Sequence, residues 1–315
     1  MKDDQDLLYA VAVMYYQDRL NQEEISKRMN LSRPMVSRLL AKAQECGIVR
    51  ITVQKPEPLG NLAEKLAKIL EVEKVYIAPN AHVMKDGMHA RLEDISDYAS
   101  QAMISELKDM RNIGVGWGMT VYRTVMKMVE KSVSDYSSEH NVVPIVGSVG
   151  VREVQYQVNI IVSLLAHVLG ASVYFYNSAE ADRKDFGKKY GELFGIWNEL
   201  DAVLFGLGAA PSLQRRAFDV ISGKQQDGIG DVSGAVGDIL GQFFSENGKI
   251  NSTWEDGYLG LSIEKLMKVG RRICLCGGTE KVDAMITAAR FGLYNVLVTD
   301  ARTAEEILER KGERL

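Results

Sequence analysis

From residue 75 onward, seven short apolar runs recur along the chain: Val75 to Ala78, Asn112 to Val115, Val142 to Val146, Val173 to Tyr176, Ala202 to Phe205, Arg272 to Cys276 and Val296 to Thr299. Each is strand-length, and helix-patterned sequence lies between one and the next. Strands joined by helices are too far apart in the chain to pair as hairpins, so they align in parallel with the helices covering the sheet. The expected fold is a Rossmann-like α/β domain with a largely parallel sheet. In such a sheet ligands gather at the carboxyl ends of the strands.

The first 55 residues have a different period. Leu7, Val11, Met14 and Tyr15 recur at helical spacing, describing the buried face of a first helix ending near Leu20. Asn21, with Glu24 three residues on, forms a variant capping box for a second helix whose Ile25 and Met29 point inward. Asn30 tolerates the left-handed backbone needed to end that helix, and Leu31 can plug the corner. Ser32 is the expected N-cap of a third helix with Pro34 in its first turn, and Val36, Leu39, Leu40 and Ala43 form its inward stripe. Small Ser26 lets the second and third helices approach closely. Together these positions fit a helix-turn-helix.

The total charge of −4 conceals a local reversal. Between residues 27 and 55 seven cations, Lys27, Arg28, Arg33, Arg38, Lys42, Arg50 and Lys55, face the single anion Glu45, giving +6. On the third helix Ser32, Arg33, Ser37, Arg38 and Lys42 lie away from the apolar stripe, as expected of a recognition helix: arginine for guanine edges or phosphate, serine for either, lysine for the backbone. The competing reading is a three-helix bundle with a merely solvated outer face. Ile48 to Val53 alternates like a strand and is a candidate wing, with Arg50 near a phosphate.

Lys55-Pro56-Glu57-Pro58 is a stiff break, dividing the chain into an all-α module over residues 1–55 and an α/β domain over 56–315. The helix beyond it, with Leu59, Leu62, Leu66 and Ile69 on one face, either packs on the large domain or pairs with a second copy. An apolar content of 46% can supply a large core, and no apolar stretch approaches the roughly 20 residues of a membrane span. The acidic start does not resemble a secretory signal, so a cytoplasmic protein is expected. Cys46, Cys274 and Cys276 have no C-x-x-C spacing and read as buried thiols.

Four of the strand ends carry glycine-rich turns: Gly114 to Thr120, Gly147 to Gly150, Gly206 to Gly208 and Gly277 to Lys281. Each is either a tight strand-to-helix connection or an open set of amides able to hold an anion. Thr120, Thr279 and Lys281 add donors and charge, and together the turns favour an anionic small molecule. None has the spacing of a dinucleotide fingerprint or a P-loop, which disfavours NAD and ATP, and no cofactor is expected.

With the Ser32 to Leu40 helix, Gly116-Trp117-Gly118-Met119-Thr120, Ala235-Val236-Gly237-Asp238-Ile239 and Gly277-Gly278-Thr279-Glu280-Lys281 in order, the chain resembles the SorC family of sugar-responsive regulators nearly end to end. The resemblance implies a helix-turn-helix joined to an effector domain similar in fold to sugar-phosphate isomerases and deaminases. It also implies operator DNA and a phosphorylated sugar as partners, with assembly into homodimers or homotetramers. Carried across, Gly118, Met119 and Thr120 form one side of a phosphate pocket and Gly278, Thr279 and Lys281 another, while Gly147 and Ser148 face the sugar. Asp238 falls at an acidic family position suited to hydroxyls, and Asn159 either lines the pocket or is a helix-surface amide. Where some relatives carry a lysine or arginine before Gly147, this chain has Val146, which can neither form a Schiff base nor pair with phosphate.

An enzyme of the isomerase or deaminase type with a fused DNA-reading module is the alternative. Catalysis at a sugar carbon needs a positioned acid and base, and His82, His89, His140 and His167 show neither clustering nor metal spacing. A regulator, not an enzyme, is the expected class. A third reading makes the large domain only an oligomerisation platform.

Overall fold

The computed structural model describes residues 2–49, 59–79, 88–131, 140–147, 157–177, 186–210, 234–251 and 260–313. The chain divides into two compact units, Met1–Pro56 and Glu57–Leu315. Of the candidate wing Ile48–Val53, Ile48 and Val49 pack against the first unit's core outside any strand, while Arg50 to Val53, the Pro56 and Pro58 break, and Ser148 lie outside the described residues.

In the first unit α1 (Lys2–Ala12) runs into a π-turn over Val13–Gln17, followed by α2 (Gln22–Met29) and α3 (Arg33–Glu45). The capping box is present: Asn21 Oδ1 accepts from the Glu23 and Glu24 amides, both at 3.0 Å, and the Asn21 amide donates to Glu24 Oε2 at 2.8 Å. Asn30 ends α2 at φ 52°, ψ 43°, and the Ser26 hydroxyl donates to the Leu31 carbonyl at 2.6 Å, tying the turn back to α2. Leu8, Val11, Ala12, Ile25, Val36, Leu39, Leu40 and Ala43 form the core, with Leu31 packed against it. Tyr15, expected on the buried face, is instead exposed, because the π-turn adds a residue to the repeat and rotates that position outward. Cys46 is exposed as well, at the end of α3, whereas Cys274 and Cys276 are buried.

In the second unit all seven expected runs contribute strands: β1 (Lys74–Ala78), β2 (Asn112–Val115), β3 (Asn141–Pro144), β4 (Ser172–Val173), β5 (Ala202–Ala209), β9 (Arg271–Leu275) and β10 (Val296–Asp300). They lie in the order β1-β10-β9-β5-β2-β3-β4, every neighbouring pair parallel. Chain order runs outward from β2 to β4, then from β5 towards β1, so the direction of winding reverses between β2 and β5. That junction is where an open α/β sheet leaves a crevice.

Alternation along the strands separates two apolar layers. Ala202, Leu204, Ile273, Leu275, Val296 and Val298 face α5 (Met88–Leu107), α6 (Met119–Lys131) and α7 (Val158–Leu169). Val203, Phe205, Cys274, Cys276 and Leu297 face the opposite layer. That layer comprises α4 (Leu59–Leu70), α8 (Phe186–Ile196), the single turn α9 (Ile263–Leu266), α10 (Val282–Arg290) and α11 (Ala301–Arg310). Leu62, Leu66 and Leu70 of α4 are all buried here, each contributing about 1.5–3 kcal/mol of apolar burial. Of the two expectations for α4, packing on its own domain is the one observed.

The sequence pattern did not anticipate an antiparallel extension. β5 continues past the parallel sheet to pair with β6 (Ala235–Ile239), which turns into β7 (Gln242–Ser245) and then β8 (Ile250–Asn251). Gly206 to Gly208 is therefore strand, not turn.

Candidate functional site

The first unit presents α3 as an exposed basic face. Ser32, Arg33, Ser37, Arg38 and Lys42 are all exposed, while Val36, Leu39, Leu40 and Ala43 are buried beneath them. Residues 33, 37 and 41 form one row at i, i+4 spacing, and 38 and 42 form the next, a surface about one groove-contact wide. Ser32 has the extended backbone of an N-cap, but its side chain makes no cap hydrogen bond.

In the second unit the candidate residues meet at the carboxyl ends of β2, β5 and β9, beside the winding reversal. The β2 strand leads through Gly116 and Trp117 into Gly118, and α6 begins at Met119 with Thr120 buried in its first turn. Gly206 of β5 lies between this turn and β9: a Cβ there would be 3.8 Å from both the Trp117 and Leu275 carbonyls. Beyond β9, Gly277 and Gly278 lead into the 3-10 turn Thr279–Lys281. The Lys281 ammonium donates to the Leu207 carbonyl of β5 at 2.9 Å, which leaves two of its three N–H bonds for other acceptors.

The β6–β7 hairpin brings Asp238 into the same place. Asp238 pairs with Gly208 across the ladder, and a Cβ on Gly208 would lie 1.7 Å from Asp238 Oδ1, so this approach requires glycine. The Gly241 amide donates to Asp238 Oδ2 at 3.2 Å. Burial of the carboxyl raises its pKa to about 6, a rise opposed by the Gly241 amide and by the charge of Lys281. The hairpin turn holds Leu240 at φ 55° and Gly241 at φ 82°. Leucine in this left-handed region costs about 1–2 kcal/mol. Its side chain is buried against β2, where a Cβ on Gly116 would be 2.5 Å from Leu240 Cδ2. The hairpin thus seats on both the Gly116 turn and β5, putting Asp238 next to Lys281.

A family model described as "Putative sugar-binding domain" matches residues 55–309. The chain belongs to this sugar-binding-domain family, the family of the SorC regulators. Its SorC-family relatives include the "Deoxyribonucleoside regulator" of Bacillus subtilis, 29% identical with 98% of each chain covered. The "Transcriptional regulator LsrR" of Escherichia coli is 28% identical over 95% of this chain and 93% of its own. The "Sorbitol operon regulator" of Klebsiella pneumoniae is 24% identical over 98% and 99%. The crystal structure of full-length SorC from Klebsiella pneumoniae shares the fold, with a TM-score of 0.74 at 23% identity, over 97% of this chain and 99% of that one. These relatives are transcriptional regulators, not enzymes.

Two more residues singled out from the SorC resemblance are placed by contacts of their own. Gly147 is buried just beyond β3, where Val146 forms an antiparallel bridge with Gly260 and the Leu261 amide donates to the Ile145 carbonyl at 2.8 Å. Asn159, in the first turn of α7, is bonded to the chain that follows β4. Its Nδ2 donates to Asn177 Oδ1 at 2.7 Å and the Tyr176 carbonyl at 3.3 Å, while its Oδ1 accepts from the Tyr176 amide at 3.0 Å. The amide of Asn159 thereby ties the start of α7 to the chain after β4. Among the described residues no group of His, Cys, Asp and Glu is arranged to hold a metal ion, and no helix is long and apolar enough to cross a membrane.

Proposed function

We propose that this chain is a DNA-binding transcriptional regulator of a carbohydrate operon, whose operator affinity is set by a phosphorylated sugar bound at the carboxyl edge of the parallel sheet. One observation carries this reading most: Lys281 and Asp238 lie near each other beside the β2 turn at the winding reversal, a cation and a carboxyl able to accept from hydroxyls. A sugar phosphate needs both, an ammonium for its charge and an acceptor for its hydroxyls. Thr120, Gly118 and Met119 border the same place from α6, and Gly278 and Thr279 from β9. The family match over residues 55–309 supports a sugar ligand, and the relatives' printed names support transcriptional control.

Residues 1–55 act as the operator reader, through Ser32, Arg33, Ser37, Arg38 and Lys42, and residues 56–315 as the effector and self-assembly domain. Two copies reading a two-fold operator give the geometry that helix-turn-helix proteins use. The ligand shifts affinity for DNA only by binding the DNA-competent and incompetent states unequally.

The test uses the full chain on operator duplex selected from random DNA, followed by fluorescence anisotropy against a panel of sugar phosphates and their unphosphorylated parents. A phosphorylated member shifts DNA affinity and its parent sugar does not. Lys281→Ala removes the shift and leaves DNA binding without ligand intact, whereas Arg38→Ala weakens DNA binding and leaves ligand-induced stabilisation intact. A response to the parent sugars equal to that of the phosphates, or a full response in Lys281→Ala, would refute the phosphate reading.

A further inference from the structure

The glycine turn after β9 does not offer its amide to a ligand. The Gly278 N–H donates to Thr303 Oγ1 at 2.8 Å, and that hydroxyl donates onward to Asp300 Oδ2 at 2.6 Å, all of it buried. An anion at this turn would lack the Gly278 amide as a donor and would draw on side chains, of which Lys281 already gives one donor to Leu207. A second cation stands beside the turn. Arg91, in the first half of α5, pairs with Glu280 at 3.2 Å between Nη1 and Oε2. Both groups fold over the bare Cα of Gly278: a Cβ there would lie 2.4 Å from Glu280 Oε1 and 2.6 Å from Arg91 Nη1. The crossover from β1 delivers α5 to this end of the sheet, and Ile95, one turn beyond Arg91, packs on Gly277.

Resting on the proposed reading of this site as a phosphate site, we propose that Arg91 is an anion-contacting residue of the effector site, and that Glu280 occupies its guanidinium until the ligand's phosphate displaces the carboxylate. The pair is partly exposed, with 26% of the Arg91 and 39% of the Glu280 side chain open to solvent, so little holds it closed. A carboxylate with one charge already satisfies Arg91. Exchange is favourable only for a ligand of greater charge, and a phosphate monoester carries about −1.5 to −2 at neutral pH. Arg91 can grip two of its oxygens side by side, as a guanidinium does with planar or tetrahedral oxyanions. The pair thereby selects phosphate monoesters over sugar acids, whose single carboxylate gains nothing by replacing Glu280.

Isothermal titration of the full chain with inorganic phosphate at constant ionic strength tests this, comparing wild type, Lys281→Gln, Arg91→Gln, Glu280→Gln and the Arg91→Gln/Glu280→Gln pair. Glu280→Gln removes the competitor and tightens phosphate binding several-fold, while Arg91→Gln weakens it about tenfold. In the double variant the gain from Glu280→Gln disappears, which simple loss of a structural ion pair would not produce. Tryptophan fluorescence verifies that each variant is folded. Phosphate binding that Lys281→Gln weakens but neither Arg91→Gln nor Glu280→Gln changes would overturn the role of Arg91 and leave the anion site standing. No saturable binding in any of the five proteins would overturn the phosphate site, and this inference with it.

Discussion

Replacing Asp238 by Asn isolates the cost of seating a carboxylate against Gly208. Asn keeps the size of the side chain and an oxygen for the Gly241 amide, 3.2 Å from Asp238 Oδ2, but removes the ionisation. Burial lifts the folded-state pKa from 3.8 to about 6, some two units, or about 3 kcal/mol between the two protonation states. Because the folded value is the higher one, the native state holds the proton more tightly than the unfolded chain. The stability this confers is complete below about pH 4 and is lost as pH rises through about 6. The stability of Asp238→Asn relative to wild type should thus climb by about 3 kcal/mol between about pH 4 and about pH 7.5, other carboxylates cancelling in the difference. Urea unfolding followed by tryptophan fluorescence reads it cleanly, since Trp117, Trp197 and Trp254 all belong to the second unit. A difference between the two proteins that is flat across this range would refute the assignment of Asp238 as a buried, proton-retaining carboxyl.

Gly208→Ala forces a methyl group to 1.7 Å from Asp238 Oδ1, so the hairpin must shift, at a cost of about 1–3 kcal/mol in the same urea assay. Adding Asp238→Ala should recover part of that loss, and additive effects would show that the two sites do not touch. In the first unit Asn21→Ala deletes the acceptor of the Glu23 and Glu24 amides and costs about 1 kcal/mol. Hydrogen exchange at those two amides should speed up about fivefold, and unchanged protection would exclude the cap.

The parallel sheet was legible because its inner strands are apolar runs bounded by turn residues and buried on both faces, whereas the edge strand β4 is short and exposed. The pairing of α2 and α3 was legible because Asn21 caps the start of α2 and Asn30 and Ser26 supply the chemistry of the turn that follows it. The β6–β7 hairpin was not, since Ala235 to Ile239 is short and glycine-containing, and its turn places a leucine where Asn or Gly is usual. Leu240 is held there by contact with Gly116, more than a hundred residues away, a constraint no local pattern carries. Arg91 was invisible for the same kind of reason: a lone arginine in a helix reads as solvated until the crossover from β1 sets its end of α5 beside Gly278. Asn159 stood out only through the SorC resemblance, and its bonds to Tyr176 and Asn177 come from tertiary contacts that no local pattern carries.

β5 belongs to two ladders at once. Its residues Ala202 to Gly206 run between β2 and β9 in parallel, while Leu207 to Ala209 pair antiparallel with β6. An unbroken strand is stiff along its length, so the hairpin carrying Asp238 is indexed to the middle of the main sheet as one tooth of a comb is to its spine. It behaves as a fixed jaw. Facing it is the Gly277–Lys281 turn with α5 beyond it, joined by the solvent-lapped Arg91–Glu280 pair and by Ile95 on Gly277. On the proposed reading of the site, a ligand there would shift that turn relative to the β5 strand, and Asp238 would stay in register with the sheet.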